Sequence, residues 1–354
     1  MILQTGVGPI SGEVYLPAEP EQLHWGRLPC AADDAVLTID PGTSVTIDTV
    51  SHEGILEDQG RDPIAWFGER GVEREQVLDE AVALAASDHS RDPATDGPHV
   101  VTGPIAVRGA RPGDLLRMTV LETALRVPYG VISNRHGRGA LAGEYPTSPG
   151  NVSVFARASE DGQRGSIPRA AGSRAEVGFP LAPFLGIMGV AVAGDERPHS
   201  VPPGPHGGNI DINLLTVGTS LYLPVQVDGA LAYVGDPHFV QGDGEVALTA
   251  LEGSLRATVR FDVMAREDAV REFGELVGPM AQTSEYLVPT GLDPDLDVAT
   301  ANCVRAAIAL LQARFGMDAA HAYAYLSAAT DFDISQVVDL VKGVHARIRV
   351  ADFA

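Results

Sequence analysis

Thiols are nearly missing from this 354-residue chain, whose only cysteines are Cys30 and Cys303. That excludes a disulfide framework and a structural zinc site built of thiolates. Each cysteine is expected to be a small buried apolar residue, and a reducing cytoplasm is the default compartment. Basic charge is also scarce: 25 Lys and Arg stand against 47 Asp and Glu, a formal net charge of −22 at pH 7. Nucleic acid and anionic membrane surfaces both select basic patches. Neither is an expected partner, whereas a small neutral or cationic substrate is. The opening MILQTGVGPISG has no basic start and no long apolar stretch, so no signal peptide is expected. The most apolar run, LAPFLGIMGVAVAG (181–194), is broken by Pro183 and several glycines. It falls short of the ~20 residues that a spanning helix needs.

Several catalytic signatures are missing too. There is no G-x-S-x-G elbow, no H-E-x-x-H, no P-loop and no Gly-Gly-Ser-Ser run. Ser220, in VGTSLY (217–222), reads as an ordinary strand residue. Cys303 falls mid-helix, and Cys30 is followed by acids, unlike the electropositive surroundings of a reactive thiolate. A cupin site wants two histidines one residue apart, and each segment here has one. By elimination the polar machinery is histidine and carboxylate, which suits metal-assisted or general acid/base hydrolysis.

What is abundant is short alternation. SVTIDTV (44–50), LRMTVLE (116–122) and RATVRFDVM (256–264) alternate apolar and polar residues, the pattern of half-buried strands. IDPGTSVTI (39–47) and ARPGDLLRM (110–118) each begin with a Pro-Gly turn. With 39 glycines and 25 prolines, the first three quarters suggest a sandwich or barrel. A helix is expected over 72–86. Helices are also expected over 296–316, with Gly316 as its stop, over 317–329, and over 333–343 with Asp333 as N-cap. HARIRVADF (345–353) reads as a closing strand. The fold class is therefore mainly β, a sandwich or barrel followed by a C-terminal α+β portion. The expected divisions are 1–125, 126–265 (carrying most of the site) and 266–354.

Three segments concentrate ligand-type side chains. In YVGDPHFVQGDGEV (233–246), Pro237 disfavours helix at Asp236. If extended, Asp236 and His238 share a face at ~6–7 Å between Cα atoms, so both can reach one ion. The same segment holds Gln241, Asp243 and Glu245. In GPHGGNIDINLLTV (204–217), His206, Asn209 and Asp211 lie beside paired glycines that let backbone approach a ligand. Asp211 opens an apolar run and needs a partner if buried; His206 alone reads better as a loop residue. TDGPHVVTGPIAV (95–107) places His99 at a turn. Glu252 ends the strand after Glu245. His24, His52 and His136 read as surface or core residues unless the fold carries them to the site.

Four stretches resemble the acetamidase/formamidase family: HWGRLPCAADDAVLTIDPGTSVTIDT, HVVTGPIAVRGARPGD, GGNIDINLLTVGTSLYLPVQVDGALAYVGDPHFVQGDGEVALTALE and AYAYLSAATDFDISQVVD. The likeness runs from about residue 24 to 343. It implies a mainly β fold, a jelly-roll-like β-sandwich with an additional β-barrel-like part and a C-terminal α+β portion. It also implies hydrolysis of short-chain amides to ammonia and a carboxylic acid, a divalent metal such as zinc or calcium, and homodimers or larger assemblies. The sequence departs from the family pattern at 51–68 and 128–146, both plausible pocket loops. The expected metal ligands are Asp211, Asp236 and His238, with His99 and Glu252 in reserve. Glu245 is the expected general base, and Asn209 and Gln241 the expected donors to the oxyanion. Two alternatives stay open: a non-catalytic metal- or sugar-binding sandwich, and hydrolysis of a carbamoyl or ureido bond.

Overall fold

The computed structural model describes residues 2–89 and 91–353. Two large sheets carry the fold, one of nine strands and one of eleven. The nine-stranded sheet runs from Val14–Leu16 through Ser44–Asp48, Leu255–Met264, Leu115–Leu125 and Ser220–Pro224 to the hairpin of Asp331–Gln336 and Lys342–Arg349. The eleven-stranded sheet has Glu176–Pro180 at one edge and Phe184–Val190, Gly207–Asn209 and Ala232–Val240 towards the other. Nearly all pairs are antiparallel; Val14–Leu16 with Ser44–Asp48, and Leu37–Ile39 with Val100–Val107, are parallel.

The sheets face each other across one apolar core. Val45, Ile47, Val120 and Val259 from one sheet pack with Phe184, Val190, Ala232 and Val234 from the other, all buried. Both Pro-Gly segments form the expected turns. Thr43 N donates to Asp40 O at 3.2 Å and Asp114 N to Arg111 O at 3.0 Å, with Gly42 and Gly113 at φ +91° and +99°.

Three local expectations are corrected. Ser44–Asp48 is buried on both faces, because the N-terminal segment lies over its outer side. Arg256 binds Asp48 there while donating to Val7 O and Pro9 O. The helix expected over 72–86 is split into a 3-10 turn, Arg74–Gln76, and a helix, Asp79–Ala86. Gln4 holds the break, donating to Val77 O and accepting from Asp79 N. The segment 333–343 is not a helix; Asp331–Gln336 is a strand paired with Lys342–Arg349. Helices Leu296–Phe315 and Ala319–Ala329 form as expected, with Asp295 and Asp318 capping them and Gly316 in the left-handed conformation.

Candidate functional site

The strand Ala232–Val240 organises the site. On one side it pairs with Phe184–Val190, setting Phe184 opposite His238 and Ile187 opposite Gly235. On the other it pairs with Val100–Val107 and with Leu251–Glu252, so that His238 faces Glu252 directly. His238 Nε2 consequently lies 3.2 Å from Glu252 Oε1 and 3.0 Å from Asp236 Oδ2. Asp236 and His238 do converge, but through a kinked backbone and not a regular extended one: Asp236 has φ +48°.

Asp211 reaches the same point from the next segment. Ile210 N and Asp211 N both donate to Gly186 O, at 3.2 and 3.3 Å, which folds Asp211 over that glycine. Asp211 Oδ1 is then 3.9 Å from His238 Nδ1. Gly186 leaves the space open: a Cβ there would lie 2.5 Å from Asp211 Oδ1, 2.6 Å from His238 Cε1 and 2.8 Å from Asp236 Oδ2. Glu245 enters from a tight turn after the strand, with Glu245 N donating to Gly242 O at 3.2 Å.

Two histidines complete the cluster. His52 Nδ1 is 3.4 Å from Asp236 Oδ1, and its Nε2 is 3.5 Å from Glu53 Oε1. His99 Nε2 is 4.0 Å from Asp236 Oδ1, and the two rings meet edge to face at 5.2 Å. His99 Nδ1 is 3.0 Å from Ser200 Oγ, a contact that orients the ring with Nε2 towards the centre. Three overlapping groups of buried donors result: His52, His99 and Asp236; Asp211, His238 and Glu245; Asp236, His238 and Glu252.

Electrostatically this arrangement is strained. Six buried carboxylates (Glu53, Asp211, Asp236, Glu245, Glu252, Asp339) surround three buried imidazoles. Burial holds Asp211, Glu245 and Asp339 well above the usual carboxylate range, and each is pushed further by another of the three. Burial opposes ionisation of Asp236, but the facing imidazoles hold it well below that range. Burial likewise opposes protonation of His238, yet Glu252 and Asp236 raise it well above its ordinary value. His52 is pushed up to about 10 against its burial by Asp236 and Glu53. Burial takes His99 down to about 4, leaving the neutral imidazole that metals bind.

The hydrogen-bond inventory carries the same message. Asp211 Oδ1 and Oδ2, Asp236 Oδ1, His52 Nδ1 and Nε2, His238 Nδ1, Glu252 Oε2 and Asp339 Oδ2 are buried without a hydrogen-bond partner. Buried polar atoms are nearly always paired, so eight orphans in one cluster require a partner that protein atoms do not supply. Imidazole nitrogens and carboxylate oxygens are the donor set of a divalent cation, and the residues present fit one.

The structure brings Asp211, Asp236, His238, His99, Glu252 and Glu245 together. It corrects the expectation for Gln241, whose amide nitrogen donates to Asp211 O at 3.0 Å and Ser335 O at 3.1 Å. Both amide hydrogens are committed to backbone, so Gln241 positions Asp211 and has none left for an oxyanion. Asn209 is buried, with Oδ1 unpartnered. His206 is also buried rather than on a loop surface, and its Nε2 is unpartnered, but it joins none of the three donor groups. His24 and His136 lie outside the cluster. Ser220 is spent on Thr119, Oγ to Oγ1 at 2.8 Å. Burial pushes the Cys303 thiol up. Sequence reasoning set His52 aside and missed Glu53 and Asp339. The signals were there: an acid inside the apolar VVDLV, and a His-Glu pair inside a loop that departs from the family pattern.

The class the structure defines is a mainly β sandwich enclosing a buried histidine–carboxylate centre. The sequence profile of the Acetamidase/Formamidase family matches residues 191–350. The formamidase of Methylophilus methylotrophus is 28% identical over 251 residues, covering 56% of this chain and 60% of that protein. The acetamidase of Mycolicibacterium smegmatis is 30% identical over 199 residues, covering 42% of this chain and 49% of that one. The match thus spans about half to three fifths of these curated relatives. The crystal structure of an acetamidase from Bacillus halodurans superposes with a TM-score of 0.73 at 26% identity, over 96% of this chain and 98% of that one. Over residues 191–350 the chain is similar to the Acetamidase/Formamidase family, and its fold is similar to that of the Bacillus halodurans acetamidase.

Proposed function

We propose that the protein is a metal-dependent amidohydrolase that cleaves linear aliphatic amides, formamide and acetamide being the smallest, to a carboxylate and ammonia. The observation that carries this reading is the cluster of eight unpartnered donor atoms beside a buried carboxyl, Glu245. Its relatives' names, formamidase and acetamidase, support it.

Asp211, Asp236, His238 and Glu252, joined by His52 and His99, would hold the cation, zinc being favoured over calcium by the imidazole nitrogens. When bound, such an ion supplies Lewis-acid polarisation of the amide carbonyl and acidifies a water. The rest falls to the chain. Water oxygen joins the carbonyl carbon, the C–N bond breaks, and one water proton must travel to the departing nitrogen. Glu245 is the carrier: burial and Asp211 keep its carboxyl well above the usual range, which suits a group that takes and gives a proton near neutrality. Asn209 is the remaining amide donor for the developing oxyanion.

Ammonia release from formamide and acetamide, measured before and after stripping with dipicolinate and after restoring Zn2+ or Ca2+, tests the proposal. Activity should follow metal content. Full turnover by metal-free protein would sink the metal role. A stoichiometric metal without ammonia release would favour a non-catalytic binding sandwich.

A further inference from the structure

An open cleft of about 250 Å³ adjoins the buried centre. Its polar end is lined by Gln241 and Glu245, and its walls by Ile132, Phe179, Val240 and Leu251. The walls come from different strands, so the apolar surface is assembled by the fold and is not a run of local sequence. Gly165 lets two of the wall residues pack close over its strand: a Cβ there would lie 2.9 Å from Phe179 and 3.4 Å from Leu251. A water occupies about 30 Å³ in the liquid, and acetamide, with four heavy atoms, is on the order of two or three waters. Formamide has no carbon to set against an apolar wall, and acetamide has one methyl.

We propose that the preferred amide carries an apolar arm of about three to five carbons on its acyl side, lying along this cleft with the amide group at Glu245. The inference rests on the amide-hydrolase reading and narrows its substrate class. The arm takes no part in bond-making; it fixes the carbonyl beside the centre, and the released products are the longer carboxylic acid and ammonia.

The test compares kcat/KM for ammonia release from acetamide, butyramide and hexanamide. A fully buried methylene is worth about fourfold, so in a half-open cleft hexanamide should exceed acetamide at least tenfold. In Ala247→Phe, which fills the cleft from its wall, the hexanamide-to-acetamide ratio should fall at least tenfold. Phe179→Ala, which removes wall surface, should lower the same ratio and serves if the first variant does not fold. Hexanoate should inhibit the unaltered protein at least tenfold more tightly than acetate, which needs no variant. Equal or better use of acetamide, or ratios that neither variant moves, overturns the inference and leaves the amide-hydrolase reading standing. No ammonia from any amide removes both.

Discussion

Asp211, Asp236 and Glu245 sit at φ +47°, +48° and +46°, a region that costs a residue bearing a Cβ ~1 kcal/mol or more. Only eight described non-glycine residues adopt positive φ, and three of them are these buried carboxylates. A fold tolerates such strain where it aims side chains that regular strands cannot aim. Gly186 is the complement, a missing side chain where Asp211, Asp236 and His238 meet. Gly186→Ala should therefore fill the cradle and weaken metal binding by on the order of 10–100-fold, read as metal per chain after dialysis, with melting little changed. A variant that keeps its metal and its activity would show that the cradle is not used. Glu245→Gln should separate proton transfer from ligation. We expect kcat to fall by about 10²–10⁴-fold with KM and metal content nearly unchanged. Metal lost in step with activity would make Glu245 a ligand instead. Much of this set is legible in sequence because each of Asp211, Asp236, His238 and Glu252 is a polar group inside or beside an apolar strand, where it must have a partner. His52 and Asp339 are less so: the His52–Glu53 pair and the acid within VVDLV hint at burial, but only the fold shows that they face a centre assembled from distant segments.

Elements follow the same division between local and distant causes. Helices Leu296–Phe315 and Ala319–Ala329 are readable because their caps and stops are local. The stretch 333–343 has apolar residues at spacings that suit helix or strand, and only pairing with Lys342–Arg349 decides it. There Gln336 closes the turn, accepting from Val338 N and Asp339 N and donating to Val341 O, which is what delivers Asp339 to the site. The N-terminal segment is tied down by two buried arginines that no sequence pattern announces. Arg126 donates to Leu3 O at 2.9 Å and to Glu80 at 2.6 Å, and lies 3.3 Å from Asp48. Arg256 binds Asp48 at 2.6 and 2.9 Å. Arg126→Met should leave Glu80 buried without its cation and free the strap over Ser44–Asp48. The expected loss is ~3 kcal/mol, a fall in melting temperature of about 5 °C or more, with earlier proteolysis within residues 2–10. An unchanged melting temperature would mean that the strap adds nothing to the sandwich.

At the scale of the whole molecule two acid responses compete. With a net charge of −22 and a pI near 4.7, lowering the pH relieves self-repulsion, which favours the compact state. Against this stand histidines buried neutral away from the centre. Burial lowers both His206 and His345 from 6.5 to about 4. His345 is further held by Ser335 Oγ, 2.8 Å from its Nδ1. The unfolded chain takes up protons at these groups first, so the stability they contribute is whole above about pH 6.5. It drains as the pH falls towards 4, and each can lose on the order of 2–3 kcal/mol across that window. Surface repulsion is screened within a Debye length of about 8 Å at physiological salt, whereas the buried imidazoles feel no such screening. The raised carboxyls of Asp211, Glu245 and Asp339 work the other way, since their cost to the fold shrinks as the pH falls, so the histidine effect is isolated by comparing the protein with a variant at 0.15 M salt. His345→Gln should lower the melting temperature at pH 7, and its gap to the unaltered protein should narrow as the pH falls from 6.5 towards 4.5. A gap that stays constant across that window, in high salt as in low, would show that this ring does not contribute to the acid sensitivity of the fold.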